Sequence, residues 1–195
     1  MFQSNIIAIN LSSGNSYKER LLWKQRIQSY SELELYRKQN IYQDSLFIII
    51  GQNEIFGIEV TTGILSYKTK LGWPIINTIF EYPILDSKTI IEKSSLTASI
   101  IDVRTGLETG TIDQLSIPNS GIVPYDGLFY FVNIRRLVSL NPESLEVVWS
   151  FTPQKRSSEN NGNNFPNRNG LAIDPENKLL YTTDKRYALC IKLPE

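Results

Sequence analysis

Four polar residues recur at one position of a repeated sequence pattern and are the first candidates for chemistry: Asn10, Glu59, Asp102 and Asn141. If the repeats bring these side chains to one rim or into a central channel, they would form a polar ring. Such a ring could bind a carbohydrate or a similar polar ligand, and two of its carboxylates could act as general acid and base. We favour a structural interpretation, because Asn and Asp side chains commonly bond to the turn backbone beside them.

The chain contains no histidine and a single cysteine, Cys190. Without imidazole it has no Ser-His-Asp or Cys-His arrangement and no usual zinc site, so any enzyme activity would rest on carboxylates or lysines. Cys190 occupies the position that Ala8 and Gly57 fill in other repeats, and we therefore expect it in the core. We assign no catalytic residue, and we expect no bound metal and no other cofactor.

Three aromatic residues also recur behind the repeated pattern, namely Trp23, Tyr67 and Trp149. Exposed together, their rings would offer a stacking platform for a sugar or a base. We favour a second interpretation, in which each ring packs between neighbouring repeats, because the three residues occupy equivalent positions.

Charge and length exclude several classes of protein. The 20 Lys and Arg residues balance 20 Asp and Glu residues, so nucleic-acid binding would need a local basic patch and we do not expect it. No apolar run approaches the roughly 20 residues that cross a bilayer, so we expect no membrane span. We predict a single domain over residues 1–195. We also predict a cytoplasmic location, or export if a signal segment was removed from a precursor.

A repeated β-hairpin positions these residues. Apolar and polar residues alternate before a small turn in 8–14, 57–63 and 100–106, and weaker copies begin at Ser139 and Cys190. Further strand-like runs precede the hairpins, at 46–50, 75–80, 89–92, 128–132, 169–173 and 179–183. Several short strands in every 40 to 50 residues or so is typical of a propeller blade. The sequence thus predicts an all-β fold, a small β-propeller of about four to five blades. We expect it to be closed by pairing of the N- and C-terminal segments, or else extended by a second chain.

The repeat resembles a known sequence motif, Ala-x-Asp-x-x-Thr-Gly-x-x-x-Trp. Residues 57–67 keep Glu59, Thr62, Gly63 and an aromatic residue, while 100–110 keep Asp102, Thr105 and Gly106 but end in glycine. Residues 139–149 have Asn in place of the acid and Leu in place of the glycine, and 8–23 hold five extra residues before the tryptophan. This pattern is similar to the pyrroloquinoline-quinone-like (PQQ-like) repeats of quinoprotein dehydrogenases and of the scaffold lipoprotein of outer-membrane protein assembly.

The resemblance implies a β-propeller in which the repeat residues are structural, with the aromatic ring packing between blades and the turn closing a hairpin. It favours the scaffold type over the dehydrogenases. Membership of the dehydrogenase type would imply a much longer exported chain, a calcium site, a catalytic acid and a disulfide between adjacent cysteines. This chain has only one cysteine.

Two stretches depart from the repeat and are candidates for function. Residues 152–170 read as a long polar loop, which is either a surface excursion without function or a flexible contact arm. Within it, Arg156 and Arg168 are the charged candidates for partner binding and Phe165 the apolar one; Arg135 and Arg136, in the turn after 128–132, complete the set. Residues 16–40 would suit an amphipathic helix or an inserted strand pair, and the repeat alignment favours a strand at 21–27.

Two hypotheses of function follow. The first is a non-enzymatic protein-binding module on a rigid propeller scaffold, for example an immunity or inhibitor protein for a secreted toxin. The second is a carboxylate-based, glycosidase-like enzyme or a carbohydrate-binding protein acting in the propeller channel. We favour the first, because no acid/base pair departs from the repeat. The terminal edge strands could also join two copies into a homo-oligomer.

Overall fold

The computed structural model describes residues 2–11, 16–29, 40–51, 53–75, 82–94, 96–113, 121–133, 136–152, 170–183 and 188–194. Strands dominate these residues, and the single helix among them has four residues. The elements in chain order are β1 (Phe2–Ile9), α1 (Tyr17–Arg20), β2 (Leu21–Ser29), β3 (Asn40–Tyr42), β4 (Leu46–Ile50), β5 (Glu54–Glu59), β6 (Leu65–Lys70), β7 (Lys88–Ser94), β8 (Thr97–Asp102), β9 (Leu107–Asp113), β10 (Val123–Tyr125), β11 (Leu128–Asn133), β12 (Arg136–Leu140), β13 (Val147–Phe151), β14 (Ala172–Asp174), β15 (Leu179–Thr183) and β16 (Ala188–Lys192).

The strands form five small sheets in which sequence neighbours pair. Two sheets have four strands, in the orders β3-β4-β5-β6 and β10-β11-β12-β13. Two have three strands, β7-β8-β9 and β14-β15-β16, and one has two, β1-β2. The prediction of an all-β fold of short antiparallel strands is confirmed.

The repeated hairpin turn has the same backbone hydrogen bonds in each described copy. The Gly63 amide donates to Glu59 O at 2.9 Å, the Gly106 amide to Asp102 O at 2.7 Å, and the Leu145 amide to Asn141 O at 3.0 Å. The three donor residues have φ angles of 73°, 70° and 62°, a left-handed conformation that favours glycine. Leu145 therefore adopts the same turn at a conformational cost in free energy that Gly63 and Gly106 avoid.

The pairing of β1 with β2 decides the structure of the segment after residue 16. Along β2, Trp23, Gln25 and Ile27 alternate with the exposed Lys24 and Arg26, which is the period of a strand with one buried face. Among the described residues of this segment, helix is confined to α1, and the strand expected at 21–27 is confirmed. Among the described residues β1 pairs with β2 and β16 with β15, and the expected pairing of the two terminal segments with each other is not found there.

The chain divides into two compact units, the first comprising residues 1–75 and 102–107 and the second 76–101 and 108–195. Each unit has its own apolar cluster. In the first, Ile6 and Ile27 of the β1–β2 hairpin pack with three residues of the next sheet, Ile49, Phe56 and Ile58. In the second, the strands β11, β12, β15 and β16 and the residue after β16 supply the buried residues Tyr130, Val132, Leu137, Leu180, Ile191 and Leu193. The single domain remains a prediction.

Candidate protein-binding site

Three of the four polar repeat residues, Glu59, Asp102 and Asn141, bond within their own turns. Asp102 Oδ1 accepts from the Arg104 amide at 2.8 Å, and Asn141 Oδ1 accepts from the Glu143 amide at 2.8 Å. Glu59 Oε2 accepts from the Thr62 hydroxyl at 2.7 Å. The contacts of Asp102 and Asn141 confirm the predicted bond to the turn backbone, whereas Glu59 bonds to a side chain of its own turn.

Two of the repeated aromatic residues pack on the turn of the following repeat. A Cβ atom added to Gly63 would lie 2.5 Å from Trp23 Cδ2, and one added to Gly106 would lie 2.5 Å from Tyr67 Cε2. The Trp23 indole donates to Val60 O at 2.6 Å, and the Tyr67 hydroxyl donates to Val103 O. Burial, and secondarily the charge of Asp102, raise the pKa of Tyr67. The packing interpretation is confirmed for these two rings.

The next repeat reverses this arrangement. Gly110 stands at the aromatic position and Leu145 at the turn glycine position of the following repeat, and the two residues are in contact. A Cβ atom added to Gly110 would overlap Leu145 Cδ1 and lie 2.8 Å from Leu145 Cδ2. The leucine side chain therefore fills the space that an aromatic ring fills in the preceding repeats. The sequence shows that Gly110 and Leu145 each depart from the repeat, but only the structure shows that the leucine compensates for the missing aromatic ring.

Trp149, the third repeated aromatic residue, lies within an aromatic group of its own sheet. Its ring is 6.4 Å from that of Phe151 in a stacked arrangement and 6.5 Å from that of Tyr130. Trp149 also lies opposite Ser139 of β12. The ring covers Tyr130, which is only 3% exposed.

Two carboxylates of the second unit bear on the glycosidase-like hypothesis. Glu108 Oε1 accepts from Ser99 Oγ at 2.9 Å, from Lys93 Nζ at 3.2 Å and from the Thr111 hydroxyl, so three donors hold it in place. Glu92 is buried, and its Oε2 atom has no hydrogen-bond partner among the described residues. Burial raises the pKa of Glu92 to about 7. Glu108 is thus held in a hydrogen-bond network, whereas the burial of Glu92 favours its neutral, protonated form.

Glu92 should make stability fall as pH rises. Its folded-state pKa of about 7 lies above the ordinary value of 4.5, so the folded state holds a proton that the unfolded state releases. As pH rises, the loss of stability begins near the ordinary pKa of 4.5 and is complete above the folded-state pKa of about 7. We expect Glu92→Gln to raise the free energy of unfolding by about 2 kcal/mol at pH 8 and to have little effect at pH 4.5. Urea denaturation at both values measures this, with the exposed Glu146→Gln as control. An equal effect of Glu92→Gln at the two pH values would contradict it.

The outward face of the β1–β2 hairpin is apolar near its turn. Ile7 and Ile9 alternate with the inward Ile6 and Ala8, and both are close to half exposed. Leu22 of β2 is 61% exposed and Leu11, just beyond β1, is 81% exposed. We call Ile7, Ile9, Leu11 and Leu22 the hairpin patch.

Polar and basic residues border the hairpin patch. Lys24 lies opposite Ile7, and Arg26 lies opposite Asn5 and donates to the side chain of Gln3. Residues 2–29 contain four basic residues and one acidic residue, Glu19. An apolar centre with a polar rim is the usual composition of a protein interface, and this rim carries positive charge.

The last strand, β16, overturns one expectation. Cys190 is exposed, so its predicted place in the core is wrong. The equivalent residues Gly57 and Ser139 are buried because an outer strand brings Tyr67 or Trp149 opposite them. Among the described residues β16 pairs on one side only, with β15. Burial at this position therefore depends on the outer strand.

Most of the sequence-predicted partner-binding residues lie outside the described residues: Arg135, Arg156, Phe165 and Arg168, together with the loop at 153–169. Arg136 is exposed at the first position of β12, where its backbone pairs with Asn133. The predictions for these residues stand. The hairpin patch was not identified from the sequence, because the alternation in β1 and β2 indicates which side chains face outward but not that they remain exposed.

Within the part of the chain that the structure describes, no group of three or more Cys, Asp or Glu side chains is arranged to hold a metal ion. The one helix there is neither long enough nor apolar enough to cross a membrane.

No protein-family model matches the sequence, and no curated protein matches it. Solved structures do match in fold. BamB from Moraxella catarrhalis superposes with a TM-score of 0.65 over 97% of this chain at 14% sequence identity. The fold is that of a PQQ-like repeat β-propeller. The quinohemoprotein alcohol dehydrogenase ADHIIG from Pseudomonas putida HK5 superposes with a TM-score of 0.56 over 77% of this chain at 16% identity.

The chain spans only part of either neighbour. It covers 63% of the BamB chain and 29% of the dehydrogenase chain. At these identities the likeness shows the fold, a small all-β propeller, which confirms the fold predicted from the repeats.

Proposed function

We propose that this PQQ-like propeller is a non-enzymatic scaffold that binds another protein. The observation that carries the proposal is the hairpin patch, where Leu22 remains 61% exposed although the opposite face of the same hairpin is packed into a core. Exposed apolar patches rimmed by polar residues are characteristic of protein interaction sites. Glu59, Asp102 and Asn141, which could have done chemistry, bond within their own turns, and this supports a scaffold role.

The charge around the patch specifies the partner. Lys24 and Arg26 border the apolar side chains on the outward face, and Asn5 and Gln3 beside them are neutral. A partner with an apolar anchor surrounded by acidic side chains complements this surface, and the opposite charges would speed association. We therefore propose an acidic-rimmed protein surface as the occupant.

Leu22→Asp tests the proposal against a matched control, Gln28→Asp, which places the same charge on the same outward face of β2. Wild-type protein immobilised on resin should capture one partner from a host lysate in near-stoichiometric amount. Leu22→Asp should reduce this capture at least tenfold, because it buries a charge in the apolar centre of the interface, while Gln28→Asp should retain it. Affinities of the purified partner for the three proteins, at low and high salt, provide the quantitative readout. Equal capture by Leu22→Asp and wild type would refute the patch as the binding site.

One concrete form of this function is an immunity or inhibitor protein that binds a secreted toxin. In that form the captured partner inhibits growth when expressed alone, and coexpression with the wild-type protein or Gln28→Asp restores growth. Coexpression with Leu22→Asp should not restore it. A captured partner that is harmless when expressed alone would exclude the toxin form and leave the binding function intact.

A further inference from the structure

One face of β7 is directed at the sheet β10-β11-β12-β13. Lys88 and Glu92 lie an even number of residues apart in β7, so their side chains share one face of the strand. Lys88 Nζ forms an ion pair with Glu143 Oε2 at 3.1 Å, and Glu143 lies in the turn between β12 and β13. Gly110, in the same sheet as β7, contacts Leu145 of that turn. Glu92 is therefore on the side of its sheet that packs on the four-stranded sheet.

Asn133 lies on the facing side of the four-stranded sheet. Along β11, Tyr130 and Val132 pack with residues of β15 and β16, so the alternate residue Asn133 points the other way, towards β7. Because β11 and β12 are antiparallel, the turn after β12 lies beside the start of β11. Both β7 and β11 thus run away from the ion pair, and Glu92 and Asn133 each lie in the later part of their strand. The two polar side chains enter one layer between the sheets from opposite sides.

Both side chains are buried, and each has an acceptor atom without a donor. Glu92 is 4% and Asn133 3% exposed, and neither Glu92 Oε2 nor Asn133 Oδ1 has a hydrogen-bond partner among the described residues. The neighbouring side chains of the layer, Ile90, Phe129 and Phe131, are apolar and fully buried. A buried acceptor without a donor is costly, and of these two groups only the carboxyl can hold a proton to donate. One proton on Glu92 would satisfy both atoms.

We propose that Glu92 is protonated in the folded protein and donates to Asn133 Oδ1, and that loss of this proton loosens the contact between the two sheets. Deprotonation breaks the O–H bond of Glu92 and releases the proton to solvent, which leaves a carboxylate facing a second acceptor in an apolar layer. Burial raises the pKa of Glu92 from 4.5 to about 7. The stabilisation is therefore complete below the ordinary pKa and is lost as pH rises through about 7, so the contact is a pH-sensitive switch near neutrality.

The charged side chains on the two facing surfaces lie at the ends of this layer. Lys88 is paired with Glu143 at one end, and Asp102, the last residue of β8, bonds within its own turn. Arg136 is exposed at the first position of β12. Burial is the cause of the raised pKa of Glu92, so its titration reports its own surroundings in the layer.

Asn133→Asp tests the bond directly. In protein labelled with ¹³C at the glutamate carboxyl carbons, the Glu92 resonance is the one that Glu92→Gln lacks, and its titration midpoint should lie at about 7 in the wild type. Asn133→Asp places a second carboxyl group at the acceptor position, so the two groups share a proton and the midpoint should rise by at least about one pH unit. The matched control Asn141→Asp makes the same change in the turn after β12, where the equivalent residue of another repeat is Asp102, and should leave the midpoint unchanged.

Hydrogen exchange measures the loosening. A group with an ordinary pKa of 4.5 and a folded-state pKa of about 7 should lower the protection of the β7 and β11 amides about tenfold between about pH 6 and about pH 8. Glu92→Gln should remove this pH dependence, because its side-chain amide donates to Asn133 Oδ1 at every pH. Leu22→Asp, on the hairpin patch in the first unit, should leave both readouts unchanged, so failure of either proposal leaves the other testable.

If Asn133→Asp does not fold, the side-chain carbonyl carbon of Asn133 supplies the same test in the wild type. Its resonance should shift with the midpoint of Glu92, because it loses its hydrogen bond when Glu92 ionises. Three results would each overturn the proposal. The first is a Glu92 midpoint that moves equally in Asn133→Asp and Asn141→Asp, and the second is an Asn133 carbonyl that does not follow Glu92. The third is protection of β7 and β11 that depends equally on pH in the wild type and in Glu92→Gln.

Discussion

Tyr67→Ala is expected to lower the free energy of unfolding by about 3 kcal/mol, within the range for removing a large aromatic side chain from a packed site. The ring lies over Gly57 and Gly106, with space for it only because both residues lack a Cβ atom. Its hydroxyl also donates to Val103 O, and deletion would leave that carbonyl without this donor. Since domains of this size are stable by about 5 to 15 kcal/mol, the loss would be readily measured by urea denaturation.

Two variants separate the contributions to this effect. Tyr67→Phe keeps the ring and removes the hydroxyl, and it should cost only about 1 kcal/mol. Ile64→Ala, in the turn before β6, removes a side chain that is 59% exposed and should change stability by less than about 0.5 kcal/mol. A Tyr67→Ala protein as stable as Ile64→Ala would show that the ring does not hold the two repeats together.

The strands of this fold could be predicted where local pattern and burial agree. The runs at 46–50 and 179–183 are β4 and β15 to the residue, because alternating or apolar runs between short polar turns leave the backbone few other ways to satisfy its hydrogen bonds. The same holds for the turn acceptors Asp102 and Asn141, whose short side chains reach only their own turn.

Properties that depend on a neighbouring strand could not be predicted in this way. Cys190 occupies a repeat position that is buried elsewhere, yet its exposure follows from what lies on the far side of β16, which the repeat pattern does not encode. The hairpin patch is similar, since alternation predicts which side chains of β1 point outward but not that Ile7 and Ile9 remain uncovered. Ile7, Ile9 and Cys190 therefore keep the alternation of the repeat without the burial that accompanies it elsewhere.

The contact between Gly110 and Leu145 should appear as strong coupling in a double-mutant cycle. In Gly110→Trp the new ring and the Leu145 side chain compete for one space, which should lower the free energy of unfolding by about 3 kcal/mol. Leu145→Gly removes the packing of the leucine side chain but also removes the backbone strain of a non-glycine residue at φ 62°. The two effects partly cancel, so the free energy of unfolding should fall by only about 1 kcal/mol.

The double variant Gly110→Trp/Leu145→Gly recreates the arrangement of Trp23 on Gly63, in which a turn glycine receives the ring of the preceding repeat. It should therefore be at least about 2 kcal/mol more stable than the sum of the single effects predicts, because the glycine opens the space that the indole needs. Urea denaturation of the four proteins measures the coupling, and Gly110→Trp combined with the exposed Ile64→Ala provides an additive control. Additive behaviour of the Gly110/Leu145 pair would mean that the two departures from the repeat are independent. Coupling would mean that the contact between successive repeats can be made in either direction. The turn residue can be a glycine that receives the ring of the preceding repeat, or a larger residue that packs on a glycine of that repeat.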